Sequence, residues 1–162
     1  MKHTLEKNIL RALLIFGIIS FINLMRKPPV KDWLLIFLFK GFISTLLDNI
    51  TVKKGYIKYP INLFKYFDIS FIFDYLLYPI TCVYFNQVTM KSNILGIIVK
   101  TFYFTIPMAV IEYFLEKKTS LIKFKNGWNS FTSFWTSSIT LLMCRAFITI
   151  VRKANNNPVP KN

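Results

Sequence analysis

Histidine, cysteine and acidic residues are scarce in this 162-residue chain, and each shortage excludes a kind of site. The single histidine, His3, has no metal-ligating neighbour in the sequence, so we expect no metal centre. The two cysteines, Cys82 and Cys144, lack the CxxC spacing of redox and zinc sites. They are therefore expected to pack as small apolar residues. Seven acidic residues stand against 21 lysines and arginines, which gives a net charge of +14.

Motifs of the common enzymes are also missing. The chain contains no HExxH, GxxxxGK[ST] or GxSxG pattern, which excludes the usual zinc proteases, P-loop phosphate binders and serine hydrolases. Asp74 has no second aspartate in a GxGD-type turn, which an intramembrane aspartyl protease requires. We therefore expect no catalytic residue and no cofactor, and we favour a non-enzymatic protein over an enzyme.

Hydrophobic residues make up 54% of the chain and gather in long stretches. Each stretch is long enough, or nearly so, to cross a bilayer as a helix. We therefore predict an all-α membrane bundle of about five transmembrane helices in one domain, residues 1–153, followed by a disordered polar tail, residues 154–162. The predicted spans are residues 9–25, 33–47, 69–85, 94–115 and 131–151.

Basic residues flank most of these spans, where they would meet anionic lipid headgroups. The expected partner is therefore the lipid bilayer of the cell membrane and not nucleic acid. Lysines are somewhat more numerous in the connectors on the side of the N-terminus than in those on the other side. The positive-inside rule then places the N-terminus in the cytoplasm.

Charged residues also lie inside the predicted spans, where each costs at least ~2.5–3.5 kcal/mol on insertion scales. One hypothesis is a polar cleft around Asp74 that binds a cation, a proton or a zwitterionic lipid headgroup. The alternative for the basic residues is snorkelling, because their long side chains can reach the interface. Asp74 is too short to snorkel, so we expect it to be buried and paired, with Arg11 as its partner. The candidate residues are Arg11, Lys40, Asp48, Asp74, Lys100, Glu112 and Arg145.

The fifth span carries a face of small and polar residues at helical spacing. Such a face lets another helix approach closely and form hydrogen bonds across the gap. It therefore packs either inside the chain or against a second chain, as a homo-oligomer or with another membrane protein. Its residues are Ser133, Ser137, Thr140 and Cys144.

Local signals complete the predicted layout. Asp32 can cap the second helix through its carboxylate, and residues 61–67 form a short amphipathic segment suited to the membrane interface. Pro79 and Pro107 fall inside the third and fourth spans and are expected to kink them.

Several of these features occur together in an order that resembles a known family. Trp33 opens the second span, and Gly55-x-x-x-Tyr59-Pro60 follows it. Asp74 with Pro79, then Glu112, then Trp128 complete the pattern. The chain resembles an uncharacterised family of small multi-pass membrane proteins from spore-forming Gram-positive bacteria. The resemblance implies a five-helix membrane fold and assigns no activity and no catalytic residue.

Two functions are favoured by the sequence over a third, an intramembrane enzyme, for which no set of catalytic residues is present. The first is a non-enzymatic membrane component that packs with itself or with a partner through the fifth span. The alternative is a small permease or a lipid- or cation-binding protein that uses the polar cleft around Asp74.

Overall fold

The computed structural model describes residues 2–63 and 70–155, and helices dominate this part of the chain. The predicted all-α bundle is confirmed. A π-helical segment, Phe73–Leu77, leads directly into the third helix. The helices are α1 Lys2–Met25, α2 Val30–Lys53, α3 Tyr78–Thr89, α4 Ile94–Lys118 and α5 Ser130–Asn155, and two short strands are β1 Ile57–Lys58 and β2 Lys123–Phe124.

Four of the helices, α1, α2, α4 and α5, are long and apolar enough to cross a membrane. A helix of 22 residues is about 33 Å long, which matches the hydrocarbon core of a bilayer. Their outer faces expose large apolar side chains such as Leu38, Phe42 and Tyr103. Soluble monomers rarely expose so much contiguous apolar surface. The chain is therefore a membrane protein.

The third helix lies at the centre of the bundle and contacts each of the other four. Along α3 the buried residues include Ile80, Cys82, Val83 and Phe85, which join the main apolar core. Helical residues run from Phe71 to Thr89, so the helix ends one turn beyond the predicted span. Of the five described helices, α3 does not reach the length and hydropathy required of a membrane span.

Pro79 alters the third helix through the turn before it. A proline cannot donate to the carbonyl group four residues earlier, and its ring presses against that carbonyl in a regular α-helix. The chain widens here into the π-helical segment, in which the Tyr78 amide donates to the Phe73 carbonyl group. At Pro79, where a kink was expected, the helix thus changes locally from α-helical to π-helical hydrogen bonding.

Several predicted boundaries shift. Helix α2 continues to Lys53, into the segment assigned to a connector, and α5 continues to Asn155, so the first two residues of the predicted tail are helical. The rest of that tail, residues 156–162, lies outside the described residues. Of the predicted amphipathic segment, residues 61–63 are described and are not helical, and residues 64–67 lie outside the described part.

The predicted helix cap at Asp32 is wrong. The N-cap position of α2 is Pro29, and no side chain caps the helix there. Asp32 instead accepts a hydrogen bond from Arg152 Nε at 2.6 Å, which joins the start of α2 to the last turns of α5. An aspartate in the first turn still favours the helix dipole while it forms this ion pair.

Strands β1 and β2 pair antiparallel, with Ile57 opposite Phe124 and Lys58 opposite Lys123. This hairpin-like contact was not predicted from the sequence. It joins the connector after α2 to the connector after α4 at the end of the bundle where α1 begins, which we call the near end. The opposite end, where Asp32 meets Arg152, is the far end.

Candidate functional site

A cavity of about 460 Å³ occupies the near half of the bundle. All five helices, the π-helical segment and both strands contribute to its walls. Its volume falls within the range of small-molecule binding pockets, ~300–1,000 Å³. Most of the wall is apolar, and the charged residues that line it are Lys40, Asp48, Asp74 and Glu112.

Asp48 lies near the end of α2 and accepts a hydrogen bond from the Tyr59 hydroxyl group at 2.6 Å. Tyr59 follows β1, so the strand contact positions this donor over the near end of the cavity. Burial, and then the charge of Asp48, raise the pKa of the Tyr59 phenol well above its ordinary value. At neutral pH the Tyr59 hydroxyl group therefore stays protonated and donates a hydrogen bond to Asp48.

Asp74 is the most deeply buried carboxyl group of the cavity, with 2% of its surface exposed. It belongs to the π-helical segment, and its side chain contacts the carboxyl group of Asp48. In the described part of the chain no hydrogen-bond donor reaches Asp74 Oδ2. Two carboxyl groups in contact repel each other unless a proton or another cation lies between them. Asp74 Oδ2 is therefore a buried acceptor without a donor among the described residues.

Lys40 supplies the positive charge of the cavity. Its side chain is 4% exposed, and its Nζ donates to Thr140 Oγ1 at 3.2 Å. The same Nζ lies 5.1 Å from the centre of the Tyr78 ring, within the range of a cation–π contact. The Tyr78 hydroxyl group in turn donates to Glu112 Oε1, and Ser133 also contacts Glu112.

The groups that can carry charge are unequal in number in the cavity. Three carboxyl groups face one ammonium group, and the hydrogen bond between the Asp48 and Asp74 side chains requires a proton on one of that pair. Among the described residues, no group of three or more histidine, cysteine or acidic side chains could hold a metal ion. A ligand with a positive charge therefore suits this lining better than an anion does.

The remaining charged candidates lie elsewhere. Arg11 is exposed and donates to Asn8 Oδ1 at 3.3 Å, so the predicted Arg11–Asp74 pair is wrong. Lys100 donates to Val88 O and Ser92 Oγ, and Arg145 to Met90 O, all toward the far end. The structure thus brings four of the seven candidates together. Lys40 lies beside the carboxyl groups because α2 turns it inward.

The small-residue face of α5 is directed into the chain itself. Ser133, Ser137 and Thr140 line the cavity, while Cys144 is buried against Cys82 of α3. No part of this face is left on the outer surface for another chain. The observation that motivated a partner-binding function therefore no longer supports it.

Sequence reasoning missed the two tyrosines that hold the carboxyl groups. Pro60, next to Tyr59, indicates a turn but does not indicate a partner for the tyrosine. Tyr78 lies four residues after Asp74, a spacing that places both side chains on one helical face. That spacing was a usable signal for Tyr78, whereas the contact between Tyr59 and Asp48 depends on the unpredicted strands.

The comparisons with known proteins give no relative. No protein-family model, no curated protein and no solved structure matches this chain.

Proposed function

We propose that this protein is a multi-pass protein of the cell membrane that binds a positively charged ligand in its near-end cavity. Asp74 is the principal contact, with Asp48 and Glu112 close by. The single observation that carries the proposal is the buried Asp74 Oδ2 atom, which lines the cavity and has no donor within the described residues.

The physical reason is the cost of a buried polar atom without a partner. A carboxyl oxygen away from water is costly unless it is hydrogen-bonded or paired with a positive charge. Tyr59 and Tyr78 satisfy Asp48 and Glu112, but neither donates to Asp74. A cation at Asp74 would supply the partner that Oδ2 lacks.

The proposed orientation places the N-terminus, and with it the near end, in the cytoplasm. The lysines of the near-end connectors support this orientation through the positive-inside rule. The cavity would then serve the cytoplasmic half of the membrane.

Titration calorimetry of the protein in lipid nanodiscs tests the proposal, with sodium, potassium and tetramethylammonium chloride as ligands. We expect Asp74→Asn to weaken binding of at least one cation by about tenfold or more. The matched control is Glu116→Gln, one turn beyond Glu112 on α4, because Glu116 pairs with Lys117 and does not line the cavity. The proposal is overturned if no cation binds in an Asp74-dependent way.

A further inference from the structure

The near-end cavity opens sideways, between α1 and α4. We infer that its ligand is an amphiphile with one ammonium group and an apolar tail, whose tail leaves the cavity through this gap into the bilayer. The inference rests on the proposed function, since it assumes that the ammonium group binds at Asp74.

Two residues mark the opening. Phe16 on α1 and Ile111 on α4 both line the cavity, yet they are 63% and 57% exposed. A side chain that borders an internal cavity and also lies on the outer surface stands at an opening. Helix α1 packs on α2, α3 and the π-helical segment, whereas α4 packs on α3 and α5. The two helices thus flank a gap on the apolar, lipid-facing side.

The route toward water at the near end is covered. Ile57 of β1 and Ile122, just before β2, are buried and line the cavity. Tyr59, Phe124 and Trp128 complete this cover, and the pairing of the two strands holds it together. The cavity is therefore more accessible from the lipid than from the aqueous phase.

Size and charge together narrow the class of ligand. A volume of about 460 Å³ is far larger than a bare ion needs, and the wall away from the carboxyl groups is apolar, as at Leu13, Met108 and Leu115. An apolar tail would gain burial there. A phosphate group would bring a negative charge next to three carboxyl groups, with Lys40 as the single basic group of the lining to offset it. A cationic amphiphile without phosphate is therefore favoured over a zwitterionic phospholipid.

The test compares tetramethylammonium with dodecyltrimethylammonium. Each compound is titrated into nanodiscs that contain the protein, and the heat measured with protein-free nanodiscs is subtracted. The two compounds share the ammonium group and differ in the tail. We expect the long-chain compound to bind at least about tenfold more tightly, and both to require Asp74.

Ile111→Trp places a large ring where the tail would lie, so it should weaken binding of the long-chain compound about tenfold more than binding of tetramethylammonium. Its control is Ile106→Trp, because Ile106 lies on the same helix, is 54% exposed and does not line the cavity. If Ile111→Trp does not fold, Phe16→Trp serves instead, with the exposed neighbour Ile15→Trp as its control.

The outcomes separate the two proposals. In the first case tetramethylammonium binding needs Asp74, but the tail adds no affinity or Ile111→Trp binds the long-chain compound as well as Ile106→Trp does. This inference is then overturned and the proposed function stands. If neither compound binds in an Asp74-dependent way, this inference is overturned with its premise, and the sodium and potassium titrations then decide the proposed function.

Discussion

Lys40 on α2 and Thr140 on α5 are 100 residues apart in the sequence, and they meet through a hydrogen bond from Nζ to Oγ1 of 3.2 Å. The contact fixes the only long basic side chain that lines the cavity among the described residues. Lys40 lies too deep to reach water, so it compensates the carboxyl groups inside the bundle. Snorkelling, the alternative raised by the sequence, does not describe this lysine.

Replacing Lys40 by Met should destabilise the fold, because the carboxyl groups lose their counter-charge. Because Lys40 Nζ donates to Thr140 and attracts the carboxyl groups over a longer distance, the loss should be smaller than the ~3–5 kcal/mol that breaking a direct buried ion pair costs in soluble proteins. The double variant Lys40→Met/Asp74→Asn should recover part of that loss, since it also removes one negative charge. Unfolding free energies measured in mixed detergent would show the coupling. Strict additivity of the two single changes would contradict a charge interaction between them.

Adjacent serines on α5 should respond differently to a large side chain. Ser138 Oγ donates to Thr105 Oγ1 at 3.1 Å between tightly packed α5 and α4, so Ser138→Phe should force the helices apart and lower the melting temperature. Ser137 lines the cavity, which has room for a ring. Ser137→Phe should therefore leave the fold intact and abolish cation binding. If Ser137→Phe lowers the melting temperature as much as Ser138→Phe does, the cavity does not accept the ring.

Gly17 allows α1 to approach the π-helical segment closely. A Cβ atom at position 17 would overlap Cδ2 and Cγ of the Leu76 side chain. We expect Gly17→Ala to cost about 1–3 kcal/mol through overpacking. Adding Leu76→Ala should restore much of the loss, because it removes the atoms that collide. A Gly17→Ala variant that melts like the unmodified protein would mean that α1 shifts freely.

The orientation of the chain can be tested at one loop from each end of the bundle. Reporters fused after Asn126, at the near end, and after Lys91, at the far end, should give opposite signals. We expect alkaline phosphatase to be inactive at the first site and active at the second, with green fluorescent protein giving the reverse pattern. Active phosphatase after Asn126 would contradict a cytoplasmic near end.

Much of the fold is a local property and was readable from the sequence. Apolar runs of about 20 residues predict helices because the backbone must satisfy its own hydrogen bonds in lipid. The same logic identified Asp74 as buried, since a short carboxylate among apolar neighbours cannot reach water. The limits of the helices were less accurate, as at Lys53 and Asn155, because polar residues can extend a helix beyond the apolar run.

The candidate site depended on tertiary structure. Hydropathy gives the depth of a charged residue along its helix but not the rotation of that helix, so Lys40 and Arg11 could not be told apart as partners of Asp74. One extra residue in a helical turn rotates all later side chains by about 100°, and the π-helical segment introduces such a change. The pairing of β1 with β2, only two residues each, likewise leaves no local signal. The sequence by itself therefore determined the membrane setting and the helices. Only the tertiary packing decided that four charged residues share one cavity, because their meeting depends on helix rotation and on contacts between distant segments. These residues are Lys40, Asp48, Asp74 and Glu112.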